Sequence, residues 1–170
     1  MPNYRRNRVP GATYFFTVNL RDRRSELLVG KIDALREAVR EIRRQMPFHI
    51  DAWVVLPDHM HCLWTLPEGD SCFPDRWRGI KTRFSRSLGL GRVGIWQRGY
   101  WEHTIRDDRD YNTHMDYIHF NPVKHGNVQN PADWPVSSFR RCVAAGLYPA
   151  DWLGGGGEPA EAGERRAGGA

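Results

Sequence analysis

His59 and His61 stand one residue apart inside AWVVLPDHMHCLWTL (52–66), an almost wholly apolar run. Such a run reads as buried strand, and strand side chains alternate faces, so both imidazoles point one way and Met60 points the other, into a core. Two neighbouring imidazoles at the end of a strand form half of a metal site. The same pair also suits two hydrogen-bonded structural histidines, because the spacing is short and common. A second group lies downstream, where Asp110, His114, Tyr117 and Asn121 recur at helical spacing. They form a polar stripe beside the apolar Tyr111, Met115 and Ile118. A tyrosine hydroxyl can act as a covalent nucleophile and an asparagine carbonyl oxygen as a metal ligand. Tyr117 equally suits a boundary tyrosine whose hydroxyl merely finds a partner. Pro122 disfavours helical geometry at Asn121, so the helix is expected to end or bend there.

The elements that must hold these residues can be read in order. TYFFTVNL (13–20) is β-branched and aromatic, a strand. Ile32, Leu35, Val39, Ile42 and Met46 mark an amphipathic helix that stops before Pro47. HIDAWVVLP and HMHCLWTLP meet at Pro57-Asp58, which predicts a tight hairpin with the histidines opening its second strand. Trp77, Ile80, Phe84 and Leu88 mark a second helix, stopped by Gly89 and Gly91. A fourth strand falls within 95–107, and a further helix starts near Arg109. The order β-α-β-β-α-β predicts an α+β, ferredoxin-like antiparallel sheet with helices on one face, plus an additional C-terminal helix. Residues 1–153 read as one domain with a C-terminal arm. The Gly/Glu/Arg-rich residues 154–170 read as a disordered tail.

The chain has 170 residues and 40% hydrophobic content, enough for one core. No apolar run is long enough to span a bilayer, and the N-terminus lacks a signal-peptide pattern, so a membrane partner is not expected. Three scattered cysteines match neither a disulfide framework nor a thiolate zinc site, which points to a reducing cytoplasm. The net charge of +5 is unevenly placed. Residues 75–106 hold eight basic side chains against Asp75 and Glu102, and Arg5, Arg6 and Arg8 add a second block. Concentrated charge of this kind is the footprint expected for a phosphate backbone, with a solvated helix face as the alternative. Arg5, Arg6, Arg8, Arg76, Arg78, Lys81, Arg83, Arg86 and Arg98 are the candidate backbone contacts. Trp77, Trp96, Tyr100 and Trp101 are candidates for stacking on unpaired bases.

HMH after a VLPD turn, followed by DYIHFNPVKHG (116–126), resembles the REP-associated tyrosine transposases, members of the single-tyrosine HUH transposase superfamily. The resemblance runs from about Tyr14 to Trp152 and includes HCLWTLPEGD, RWRGIKTRFSR, IWQRGYWEHTIRDD, SSFRR and YPADW. It implies that His59 and His61 bind a divalent ion with Asn121 as third ligand, and that Tyr117 is the nucleophile. His119 and His125 share the motif without a clear catalytic role. The implied reaction is metal-dependent cleavage and strand transfer of single-stranded DNA through a 5′-phosphotyrosine. Its implied target is the hairpin of a repetitive extragenic palindrome. Two His nitrogens with Asn and water oxygens suit Mg²⁺ or Mn²⁺. Such a protein works in the cytoplasm at the nucleoid, as a monomer or a homodimer.

Two other classes compete. A hairpin-binding protein that organises repeats without cutting needs no intact Tyr117, His59, His61 and Asn121 set. A metal-dependent hydrolase or an RNA-binding ferredoxin-like module needs no Tyr117.

Overall fold

The computed structural model describes residues 6–90, 94–155 and 157–164. β1 (Thr13–Asn19) is followed by a short α1 (Leu27–Gly30), α2 (Ile32–Gln45), β2 (His49–Val55) and β3 (His59–Thr65). Then come α3 (Phe73–Ser87), β4 (Trp101–Thr104), α4 (Asp108–Lys124), a 3₁₀ turn (Pro131–Asp133) and α5 (Phe139–Ala144). The four strands form one antiparallel sheet in the order β2-β3-β1-β4, the arrangement expected of the ferredoxin-like pattern.

The alternation read in β1 and β3 separates two cores. Tyr14, Phe16 and Val18 of β1 join Met60, Cys62 and Trp64 of β3 against α2 and α3. Phe15 and Leu63 face the other way and meet Met115, Tyr117 and Ile118 of α4. The hairpin turn lies where Pro57-Asp58 predicts it, closed by a bond from the Leu56 amide to the His59 carbonyl at 2.8 Å. α2 and α3 cross closely because Gly79 has no side chain: a Cβ there would stand 2.4 Å from Ile42 Cδ1. α3 ends at Ser87, and Gly89, at φ +68°, takes the left-handed conformation that turns the chain away.

The outer edge of β2 is covered rather than left open. The Val55 amide bonds the Val136 carbonyl at 3.0 Å and the Ser138 amide bonds the Trp53 carbonyl at 2.8 Å. This arm satisfies edge groups that would otherwise invite another strand.

α4 runs on through Pro122 to Lys124, beyond the stop or bend expected at Asn121. The proline sits in the last turn, where losing its own amide costs only the bond to the Ile118 carbonyl. The polar stripe on this helix does not face solvent. His114, Tyr117 and Asn121 are all buried, turned toward the sheet with Met115 and Ile118.

Candidate active site

β3 supplies the two histidines from its first and third positions, on the face opposite Met60, as the alternation requires. His61 lies at 0% exposure and His59 at 2%. Each has one ring nitrogen committed to a neighbour. The His59 Nδ1–H donates to Asp58 Oδ1 at 2.8 Å, and Asp58 is held in turn by Arg23 Nε at 2.6 Å. His61 Nδ1 pairs with Thr17 Oγ1 at 2.7 Å, its cross-strand neighbour in β1. Both contacts turn Nε2 away from the neighbour, and both Nε2 atoms face the same space, beside Glu164 Oε1. A carboxylate or hydroxyl on the far nitrogen is how metal-ligating histidines are oriented.

α4 brings the other half. It is anchored by Asp107, whose side chain caps the Asp110 amide at 2.8 Å. The Tyr111 hydroxyl, donating to Asp51 Oδ1 at 2.8 Å, and the Tyr148 hydroxyl, donating to Asp116 Oδ1 at 2.7 Å, tie it to β2 and to the arm. On this helix Tyr117 packs edge-on to His61 with ring centroids 5.2 Å apart. One turn later Asn121 is fully buried, and beyond it Lys124 places Nζ 3.5 Å from the Tyr117 hydroxyl. His125 closes the group, its ring 5.0 Å from that of His59. His59, Tyr117, Lys124 and His125 border a cavity of about 1130 Å³ rimmed by Arg23, Gln97 and Trp101.

The last described residues also enter this cavity. Residues 158–164 of the Gly/Glu/Arg-rich tail line it, and Glu164 lies among the histidines; residues 156 and 165–170 are outside the described set. Glu164 Oε1 is 2.8 Å from His61 Nε2, 3.2 Å from His125 Nε2 and 3.0 Å from Asn121 Nδ2. Oε2 is 3.5 Å from Lys124 Nζ. Burial alone would raise the Glu164 carboxyl, but the bonds from His125 and His61 hold it far below the usual carboxylate range. Burial pushes His61 down to about 4, so its imidazole is neutral at pH 7. Tyr117 is held as the neutral phenol. Burial first, and then the Glu164 carboxylate, raise its pKa above that of a free phenol.

The donor set fits a divalent ion. Among the described residues, His59 Nε2 and Asn121 Oδ1 are buried acceptors with no hydrogen-bond partner. Buried acceptors without a partner are costly, and a cation is one group that completes them.

No family model matches this sequence. Individual relatives do. The chain is 56% identical over 154 residues to the REP-associated tyrosine transposase of Escherichia coli (strain K12), covering 91% of this chain and 92% of the relative. The chain belongs to the REP-associated tyrosine transposases. It is also 45% identical over 166 residues to a putative REP-associated tyrosine transposase of Haemophilus influenzae (strain ATCC 51907 / DSM 11121 / KW20 / Rd). A solved structure of a REP-associated tyrosine transposase bound to a REP hairpin superimposes with a TM-score of 0.93 at 54% identity, over 99% of this chain and all of that one.

The transposase keeps only part of the expected basic surface for DNA. Arg78, Arg83, Arg86, Arg98 and Arg8 are exposed, and Arg6 lies half-buried with its guanidinium 3.9 Å over the Tyr100 ring. Arg5 lies outside the described residues. Arg76 is a correction. At 1% exposure its guanidinium bonds both oxygens of Asp70 and the carbonyls of Met46 and Pro47, so four of its five N–H donors clamp the α2–β2 connection and the group is buried away from solvent. Lys81 is half-buried, and its ammonium bonds the Gly99 carbonyl at 3.0 Å and holds the loop before β4. Trp96 and Trp77 are core residues, and Trp96 Nε1 donates to the Lys81 carbonyl, so neither offers a stacking face. Trp101 is the aromatic left at the cavity rim. His119 is structural: its Nε2 pairs with Ser138 Oγ at 2.8 Å and joins α4 to the arm.

Sequence reasoning missed Glu164 and gave His125 no role. Asp58 and Thr17 were open to detection, one by adjacency to His59 and the other by the antiparallel register opposite His61. Nothing in a glycine-rich tail marks Glu164.

Proposed function

We propose that this transposase cleaves and rejoins single-stranded DNA at the foot of a REP hairpin, using Tyr117 as nucleophile and Mg²⁺ or Mn²⁺ held by His59, His61 and Asn121. The carrying observation is that Tyr117 from α4 and His59 from β3 border one cavity, with His61 packed edge-on to the Tyr117 ring and Asn121 buried one turn further along α4. The hairpin substrate is supported by the relative whose structure was solved with a REP hairpin. Such an enzyme works at the nucleoid.

The chemistry follows from the side chains. The Tyr117 oxygen attacks the scissile phosphorus, the bond to the 3′ oxygen of the preceding nucleotide breaks, and that strand leaves with a free 3′-hydroxyl. The 5′ phosphate stays on the enzyme as a phosphotyrosine, so the ester's energy is conserved and the reverse attack by a 3′-hydroxyl rejoins DNA without a nucleotide cofactor. The Lys124 ammonium, beside the phenol oxygen, stabilises negative charge on it as the proton leaves. Asn121 and the two imidazoles fix the phosphate's approach, which is the positioning contribution. A bound divalent ion supplies Lewis-acid polarisation of a non-bridging phosphate oxygen.

The test is a labelled hairpin oligonucleotide with a single-stranded 5′ foot, incubated with protein and Mn²⁺ or Mg²⁺. A covalent adduct that resists denaturation, disappears in Tyr117→Phe and requires metal supports the proposal. Cleavage persisting in Tyr117→Phe removes the nucleophile, and tight binding without cleavage under either metal favours a hairpin-binding protein.

A further inference from the structure

Asp58 stands between two side chains of the cavity wall. Its Oδ1 lies 2.8 Å from His59 Nδ1, and its Oδ2 accepts from Arg23 Nε at 2.6 Å. The bond from Arg23 uses one of the five N–H groups of the guanidinium. Among the described residues Arg23 makes no other side-chain hydrogen bond or ion pair, so both Nη groups keep their donors. With Nε fixed on a carboxylate, the two Nη groups still form a planar fork, the geometry that pairs bidentately with a phosphate. The side chain is 34% exposed, and among the described residues Arg23 is the one arginine that lines the cavity holding His59 and Tyr117.

The place of that fork is set by the backbone. The Leu20 amide bonds the Asp58 carbonyl at 2.8 Å and the Leu28 amide bonds the Pro57 carbonyl at 3.1 Å. The loop from β1 to α1 is thus fastened, on both sides of Arg23, to the turn that leads into His59. The Arg21 amide adds a bond to the Ile95 carbonyl at 2.8 Å. Arg24, the next residue, is placed differently: its side chain is 93% exposed and pairs with Asp22 at 3.3 Å.

The cavity therefore has a cation on each wall. Lys124 of α4 lies 3.5 Å from the Tyr117 hydroxyl, and Arg23 lies on the sheet side, behind His59. A single strand that enters the cavity carries a phosphate at every nucleotide, and contacts to phosphates are what fix a strand's register on a protein.

We propose that Arg23, seated on Asp58, grips a backbone phosphate of the single strand in the cavity and so sets the register of that strand against Tyr117. This rests on the reading of the cavity as a DNA-cleaving site, and it adds to that site a phosphate contact from the β1–α1 loop. The Arg23 charge is already paired with Asp58, so the contact contributes direction more than general attraction. Its effect belongs to one phosphate, whereas that of a solvated arginine is spread over the strand.

The experiment is a double-mutant cycle on binding. Full-length Tyr117→Phe protein, which lacks the nucleophile, is titrated in saturating Mn²⁺ with a fluorescent REP hairpin that carries a single-stranded 5′ foot. The foot phosphates are replaced one at a time by neutral methylphosphonates, and each oligonucleotide is also titrated into the same protein carrying Arg23→Gln. At one position the methylphosphonate should weaken binding about tenfold when Arg23 is present and less than about twofold when it is not, the size expected of a hydrogen bond to a charged group. Arg24→Gln should leave that difference intact, and circular dichroism checks that each variant is folded. Absence of coupling at every foot phosphate overturns the contact. Equal loss of coupling in Arg24→Gln also overturns it, since the effect is then one of general charge. So does a weaker Mn²⁺ affinity of DNA-free Arg23→Gln, read by electron paramagnetic resonance, without coupling at any phosphate, because Arg23 then only holds Asp58. Adduct formation by protein with Tyr117 intact separates the two readings. An adduct without coupling overturns the Arg23 contact and leaves the cleavage site standing, whereas coupling without an adduct overturns cleavage and leaves the contact.

Discussion

Thr17 and His61 are cross-strand partners in the β1–β3 ladder, and the threonine hydroxyl bonds His61 Nδ1 at 2.7 Å. The register of two strands thereby fixes which ring nitrogen is free for the cavity. Thr17→Val keeps the shape and removes the acceptor, leaving a buried Nδ1–H unpaired at a cost of about 1–3 kcal/mol. It also frees the ring to take the other tautomer. Mn²⁺ affinity should fall about 10–100-fold, the range for loss of an orienting partner. Titration of Thr17→Val beside wild type checks this, and unchanged affinity would show that the ring is held by packing against Phe15 alone.

Arg76 illustrates how charge in the sequence misleads. Its position on a basic helix suggests phosphate contact, yet its guanidinium is buried on Asp70 and two carbonyls. Arg76→Met should lower stability by roughly 3 kcal/mol, because removing one partner of a buried pair strands the others. Urea unfolding measures that loss. The folded variant's affinity for hairpin DNA should stay within about twofold of wild type, and a larger drop at unchanged stability would return Arg76 to the DNA surface.

The exposed cations on the same helix should behave oppositely. Arg78, Arg83 and Arg86 are all exposed, with Arg78 only loosely tied to Asp75 at 3.1 Å. Changing all three to Gln should leave unfolding within about 0.5 kcal/mol per site of wild type. The dependence of hairpin affinity on log salt should become shallower by about one unit for each phosphate that the variant no longer neutralises. Fluorescence anisotropy between low and moderate salt reads this slope directly, and an unchanged slope places the DNA on another face.

The strands, helices and hairpin were legible because their signals are local: alternation in TYFFTVN, helical spacing in α2 and α3, a Pro-Asp turn. His59 and His61 were legible for the same reason, since a two-residue period determines a shared face. Tyr117 and Asn121 could be placed on one stripe by spacing, but periodicity alone cannot tell a polar stripe facing water from one facing a sheet. Here tertiary contact decided, and the stripe was buried. Arg76, Lys81 and Trp96 bond inside the folded chain to partners that are remote or backbone, which composition cannot show. Glu164 was illegible because a low-complexity segment takes its place from the site it meets, not from its own pattern.

His119 gives the fold a pH dependence that can be signed. It is fully buried, and burial first, then the Arg141 charge, hold its pKa down to about 4 against 6.5 for a free histidine. Between those values the unfolded chain binds a proton that the folded chain refuses. Stability is therefore full above pH 6.5 and falls as pH drops toward 4, by up to about 3 kcal/mol from this group. Burial lowers His61 and His114 as well, so they add to the same slope. His119→Gln keeps an acceptor for the Ser138 hydroxyl and removes the titrating group. Urea unfolding from pH 7 to pH 4 should show a shallower decline in this variant than in wild type. Equal slopes would mean that His119 is protonated in the fold, with Ser138 Oγ taking its proton.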